Sequence, residues 1–158
     1  MHIAHLSRRF VGSLSRTEPS SVDTAWATGC LYPGEVALWG RMSVADRRHA
    51  LGVARQVVIL LGPDVKRDVV AAALLHDVGK VDSNLGSLAR AMATVLDRRA
   101  GNSRYARYRR HDEIGARMLQ EAGSDPLTVT WAREHHMAPY RWTLPPEVTG
   151  ALKSADDD

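Results

Sequence analysis

Apolar residues recur at three- and four-residue spacing along most of the chain, and no segment alternates with a sustained period of two. That pattern predicts an all-α protein. A short helix is expected from about Gly34 to Arg41, with Glu35 near its start. Ser43 followed by Asp46 resembles a capping box, with Asp in place of Glu. The helix it opens carries Val44, Leu51, Ala54, Val58 and Leu61 on one face, and Gly62-Pro63 stops it. Asp64 is read as the cap of the next helix, from Val65 to about His76, with Val69, Val70, Ala73 and Leu74 inward. Gly79 ends it.

A further helix is expected over about Leu85 to Arg99. Residues 100 to 110 read as a basic loop or frayed helix. Helices then follow from about Asp112 to Ala122, closed by Gly123, and from Asp125-Pro126 to His135-His136. The last begins near Pro146 and is still helical where the sequence stops. Residues 12 to 25 are small and polar and read as a loop.

The bulk properties narrow the classes. The 158 residues fit one domain, and the mixture of 44% hydrophobic and 25% charged residues is that of a globular protein. A net charge of +3 does not mark a dedicated nucleic-acid binder. The only cysteine, Cys30, excludes an internal disulfide, so a reducing cytoplasm is the expected compartment. The first ten residues lack the continuous apolar stretch of a secretory leader, and no run approaches a membrane span. Trp26, Trp39 and Trp142 lie in poorly periodic segments and either cap the core or line an interface. The oligomeric state is left open.

The histidines change the picture most. His49, His76, His111, His135 and His136 fall within or at the ends of helical segments. Imidazole and carboxylate donors on facing helices can hold Zn, Fe, Mn and related ions. His76-Asp77 directly follows Ala71-Ala72-Ala73-Leu74-Leu75. A carboxylate buried at the end of such a run needs a partner, and a cation would serve. Any one of these histidines alone, His49 included, fits a structural role; the set carries the reading.

The string Ala-Ala-Leu-Leu-His76-Asp77-Val78-Gly79-Lys80 resembles the signature of the HD superfamily of metal-dependent phosphohydrolases. His49 matches the family's upstream histidine, and Asp156, after Leu152 and Ala155, matches its distant aspartate. Asp157 and Asp158 adjoin it and leave the choice among the three open. His111-Asp112-Glu113-Ile114-Gly115-Ala116 and Glu134-His135-His136 resemble the extra histidine segments of the binuclear branch, which includes the HD-GYP phosphodiesterases.

The resemblance covers roughly residues 44 to 156 and implies an HD-type helical bundle over residues 43–158. Residues 1–42 then form an N-terminal extension with short helices. The resemblance further implies His49, His76, Asp77 and Asp156 on one ion. His111, His135 and His136 would hold a second, with Asp77 bridging. The cofactors implied are two divalent ions, Fe, Mn or another transition metal.

The expected activity is hydrolysis of a phosphomonoester or phosphodiester, such as a nucleotide, by metal-activated water. Asp77 and Lys80 are its catalytic residues. Lys80 resembles the family lysine that contacts the scissile phosphate, although a solvated lysine at a helix C-terminus fits the same position. The chain departs from the HD-GYP pattern: Met137-Ala138-Pro139-Tyr140-Arg141-Trp142 follows the paired histidines, which puts cyclic di-GMP in doubt.

Arg98, Arg99, Arg104, Arg107, Arg109 and Arg110, interleaved with Tyr105 and Tyr108, precede His111. Arg107, Arg109 and Arg110 are candidates to recruit a phosphorylated small molecule or nucleotide. A solvated basic face accounts for the same residues. Two other readings stay open: a non-catalytic HD-type signalling or interaction module, and a mononuclear nucleotidase in which His111, His135 and His136 touch substrate.

Overall fold

The computed structural model describes residues 17–83 and 110–157. Within them lie the helices α1 (Ser21–Gly29), α2 (Pro33–Arg41), α3 (Val44–Leu61), α4 (Arg67–Leu75), α5 (His111–Glu121), α6 (Pro126–Glu134) and α7 (Pro146–Asp157). Two 3-10 turns, Val78–Ser83 and Pro139–Arg141, complete the regular structure, and there is no strand among the described residues. The all-α expectation is met. The expected helix over 85–99 and the basic stretch through Arg109 lie outside the described residues. No helix among those described is long and apolar enough to cross a membrane.

Local chemistry explains most helix ends. Ser43 Oγ accepts from the Asp46 amide (3.1 Å) and donates to the Asp46 carboxylate (2.6 Å), so the cap read from sequence is present. Gly62 stops α3 with φ 89°, and Gly123 follows α5 with φ 78°, both in the left-handed region.

Two expectations about helix starts fail. Residues 21–25 are helical, because Ser20 caps α1: its Oγ accepts from the Asp23 amide at 3.0 Å. Serines read as loop residues are here a helix start. The second failure is Asp64, which does not cap α4. The chain turns over Gly62–Val65, the helix begins at Arg67, and Asp68 Oδ1 accepts from the Val69 amide instead.

α4 is the central element. Every residue from Val69 to Leu75 is buried, so the expected one-sided face is in fact an all-round one. It packs on α3 and on α6, while α7 returns to α3 and α5 packs on α6 and on the 78–83 turn. The buried face of α3 is Ala50, Leu51, Val53, Ala54 and Val57, shifted from the face expected: Val44, Val58 and Leu61 are only partly buried.

Trp39 lies in the same core, and Trp26, under the Arg55 guanidinium at 3.7 Å, and Trp142 pack against it. A second tie holds α2: the fully buried Glu35 accepts from the Tyr32 amide (2.7 Å) and from Arg67 (3.0 Å), which also pairs with Asp125. These packings bring the middle of α3, the C-terminal ends of α4, α6 and α7, and the N-terminus of α5 to one place.

Candidate metal centre

His76 and His135 occupy the same position on different helices. Each is the residue after the last turn, at the C-cap of α4 and of α6. The final carbonyls of a helix have no intrahelical donor, and both rings use them. His76 Nδ1 donates to the Ala73 carbonyl (2.9 Å), and His135 Nδ1 to the Ala132 and Trp131 carbonyls (3.0 and 3.2 Å). With Nδ1 protonated, the lone pair is on Nε2, which faces the interior. This is how proteins orient imidazoles that bind metals.

Asp77 stands between two sets of donors. Its Oδ2 is 3.5 Å from His76 Nε2 and contacts the Lys80 ammonium. Its Oδ1 is 3.3 Å from His111 Nε2 and 3.8 Å from His135 Nε2. On the Oδ2 side, Asp156 Oδ1 lies 3.0 Å from His49 Nε2 and 3.6 Å from His76 Nε2. On the Oδ1 side, Asp112 Oδ1 lies 3.0 Å from both His111 Nε2 and His136 Nδ1. His49, His76 and Asp156 form one group whose donor atoms all lie within 4.8 Å of one another. His111, Asp112, His135 and His136 form a second.

The electrostatics follow from burial and neighbours. Burial pushes the Asp77 carboxyl up, but the Lys80 ammonium and His76 outweigh it and hold it well below the usual carboxylate range. Asp156 is depressed against its burial by His49 and His76. His111 and His135 move in opposite directions. Burial opposes charge on both. Asp112 and Asp77 overcome it at His111, raising it to about 9. At His135, burial prevails: Asp77 opposes it, but the neighbouring His76 and His136 add to it, and the group is lowered.

The arrangement fits cations. Among the described residues, His76 Nε2, Asp77 Oδ1 and His135 Nε2 are buried and make no hydrogen bond. An unsatisfied buried polar atom costs on the order of 1–3 kcal/mol, and three converging on one space would be relieved together by cations. Bonds of roughly 2.1 Å to N and O donors place neighbouring donors about 3.0–3.6 Å apart for angles of about 90–120°. Most of the separations above fall in that range.

All seven residues that the resemblance implies as metal ligands lie at this one place. Asp156 is the terminal aspartate that faces it; Asp157 is exposed and pairs with Lys153 at 2.7 Å, and Asp158 lies outside the described residues. Lys80 rests on Asp77. Arg110 is exposed, on a groove lined with Asp82, Glu113, Arg117 and Arg133. Arg107 and Arg109 lie outside the described residues.

Sequence reasoning assigned no role to Asp112 or to Glu134. Asp112 could have been found as a carboxylate adjoining a candidate ligand histidine, His111. Glu134 is buried and accepts from the Thr143 amide and hydroxyl, both at 2.8 Å, and Trp142 Nε1 donates to its carbonyl at 2.9 Å. These bonds tie the chain after the paired histidines back to α6. No sequence pattern signals them.

The family model of the HD domain matches residues 47–157, and the chain belongs to that family, whose members are mostly metal-dependent hydrolases. No curated protein and no solved structure matches it.

Proposed function

We propose that the chain is a phosphohydrolase with two divalent cations, acting on a phosphomonoester or phosphodiester such as a nucleotide. The observation that supports it is the position of Asp77. Its two oxygens face two separate histidine–aspartate groups, the arrangement of a carboxylate shared between ions. Bound cations about 3.5–4 Å apart would supply Lewis-acid polarisation of a phosphoryl oxygen and water acidified to near neutral pH.

The protein's own residues set the rest. His76 and His135 are held as Nε2 donors by their backbone bonds, so no reorganisation is needed when ions enter. Asp77, kept ionised by the Lys80 ammonium, holds negative charge at the centre of the cluster. Lys80 brings positive charge beside it, suited to the charge that develops on a phosphoryl oxygen. Arg110, and Arg107 and Arg109 before it in the sequence, are the candidates to recruit the phosphorylated substrate. The absence of a second cysteine suits a reducing cytoplasm.

Metal content of protein purified without chelator, together with turnover of generic phosphomonoesters, phosphodiesters and nucleotides under added Mn, Fe, Co or Ni, tests this reading. Two ions per chain and turnover lost on replacing His76-Asp77 with Ala-Ala are expected. A metal-free protein inactive on every substrate would instead mark a non-catalytic module. One ion per chain with turnover retained would mark the mononuclear enzyme.

A further inference from the structure

We infer that Asp112 is a terminal carboxylate ligand of the second cation, making the His111, His135 and His136 pocket a carboxylate-bearing site. This rests on the two-cation reading and extends it to a residue outside the ligand set implied by the family resemblance.

Asp112 Oδ1 is the common neighbour of all three imidazoles. It is 3.0 Å from His111 Nε2, 3.0 Å from His136 Nδ1 and 3.7 Å from His135 Nε2. The first two are edge lengths expected around one ion with bonds of roughly 2.1 Å, and the third lies just beyond them. Asp77 Oδ1, orphaned and buried, faces the same space, as does His135 Nε2, whose side chain is 1% exposed. Among the described residues, the ion pairs of Asp112 are with histidines alone, with no arginine or lysine. A surface carboxylate would pair with solvent or with a basic side chain; this one is three-quarters buried among imidazoles.

Its place on the chain suits the role. Asp112 is in the first turn of α5, where the exposed amides and the helix dipole stabilise negative charge. The consequence is a balanced centre. Each cation would have one carboxylate of its own, Asp156 or Asp112, with Asp77 between the two groups. The second pocket holds three imidazoles against two in the first, and so favours borderline transition metals over magnesium.

The competing role is that of an acceptor that only orients His111 and His136. Asp112→Asn separates the two, because the amide oxygen still accepts while the charge and most of the affinity for metal are lost. Metal-free full-length protein is titrated with Co(II), whose visible bands report its donors, for the wild type, Asp112→Asn and Asp156→Asn. Circular dichroism and thermal melting confirm that each variant is folded.

The wild type is expected to take up two ions. Asp112→Asn should keep one and bind the other more than about 100-fold more weakly, beyond the range for groups that merely orient a ligand. Its cobalt bands should change, and Asp156→Asn should lose the other ion. A smaller loss in Asp112→Asn, or unchanged bands, overturns the assignment. A wild type that binds a single ion untouched by Asp112→Asn also overturns it, while leaving the metal reading in place. A wild type that binds no cobalt overturns the two-cation reading itself.

Discussion

Gly79 packs directly against the backbone of His111. A Cβ on Gly79 would stand 1.9 Å from the His111 carbonyl oxygen and 2.6 Å from the Gly115 amide nitrogen. Neither atom belongs to a flexible side chain, so the backbone itself would have to move. This contact seats the 78–83 turn on α5 and sets Asp77 beside His111. The glycine of His76-Asp77-Val78-Gly79-Lys80 is thus required by the approach of two elements.

Gly79→Ala is therefore expected to cost about 1–3 kcal/mol or more. At about 2–4 °C per kcal/mol for a chain of this size, the melting temperature should fall by roughly 2–12 °C. Metal uptake should weaken as well, because Asp77 and His111 separate. Gly52→Ala is the control. Its Cβ meets nothing within 4 Å, and it is exposed within α3. That change should stabilise by about 0.5–1 kcal/mol. Equal melting temperatures for the two variants would contradict the packing argument.

The pH dependence of the metal-free protein follows from the cluster. His111 is raised from 6.5 to about 9. A raised folded value contributes stability that is complete below about pH 6.5 and is lost as the pH rises through about 9. Asp156 and Asp77 are depressed, so their contribution is present above about pH 4 and is lost as the pH falls toward their lower folded values. The lowered His135 works the other way from His111, its contribution being lost as the pH falls below about 6.5. Thermal melts of chelated protein should therefore be highest toward the upper end of the range from about pH 4 to 6.5 and should decline toward pH 9. Stability that rises steadily over that alkaline range would show that His111 is not held as a cation.

On the two-cation reading, Glu134 should govern the second cation without touching it. Glu134→Ala leaves the Thr143 amide without its acceptor, at about 1–3 kcal/mol, and frees the segment after His135-His136. The expected result is one ion bound roughly 10–100-fold more weakly, with the ion at His49, His76 and Asp156 unaffected. Equal weakening of both ions in a metal titration would argue for general destabilisation.

The Glu35–Arg67–Asp125 group is a structural test of the fold away from the metal centre. Arg67→Met leaves Glu35 fully buried without its cationic partner, at about 3–5 kcal/mol. Adding Glu35→Gln removes the buried charge and should restore a large part of the loss. Denaturant unfolding of the wild type and both variants measures it. A double variant no more stable than Arg67→Met would mean that the buried charge is not the cause.

The elements legible in the sequence were those set by local chemistry. The Ser43 cap, the stop at Gly62 and the starts of α5, α6 and α7 each depend on a few neighbouring residues. The start of α1 at Ser20 depends on such a cap too, but Ser and Thr suit both caps and loops, and the surrounding polar residues favoured the loop. The face of α3 was misjudged in detail because periodicity gives the direction of a stripe only approximately. Its centre is set by which helices lie against it, and here these are α4 and α7.

The sequence alone determined the helical class, the donor types and their order from His49 to Asp156, because helix periodicity, caps and metal-ligand chemistry reside in single residues and short spacings. Only the tertiary structure decided how those donors divide. The two oxygens of Asp77 face different groups, Asp112 joins His111, His135 and His136, and Glu134 closes the segment behind them. Each depends on where a side chain points once helices distant in sequence have packed, and that packing is set by the shapes of the buried faces around α4.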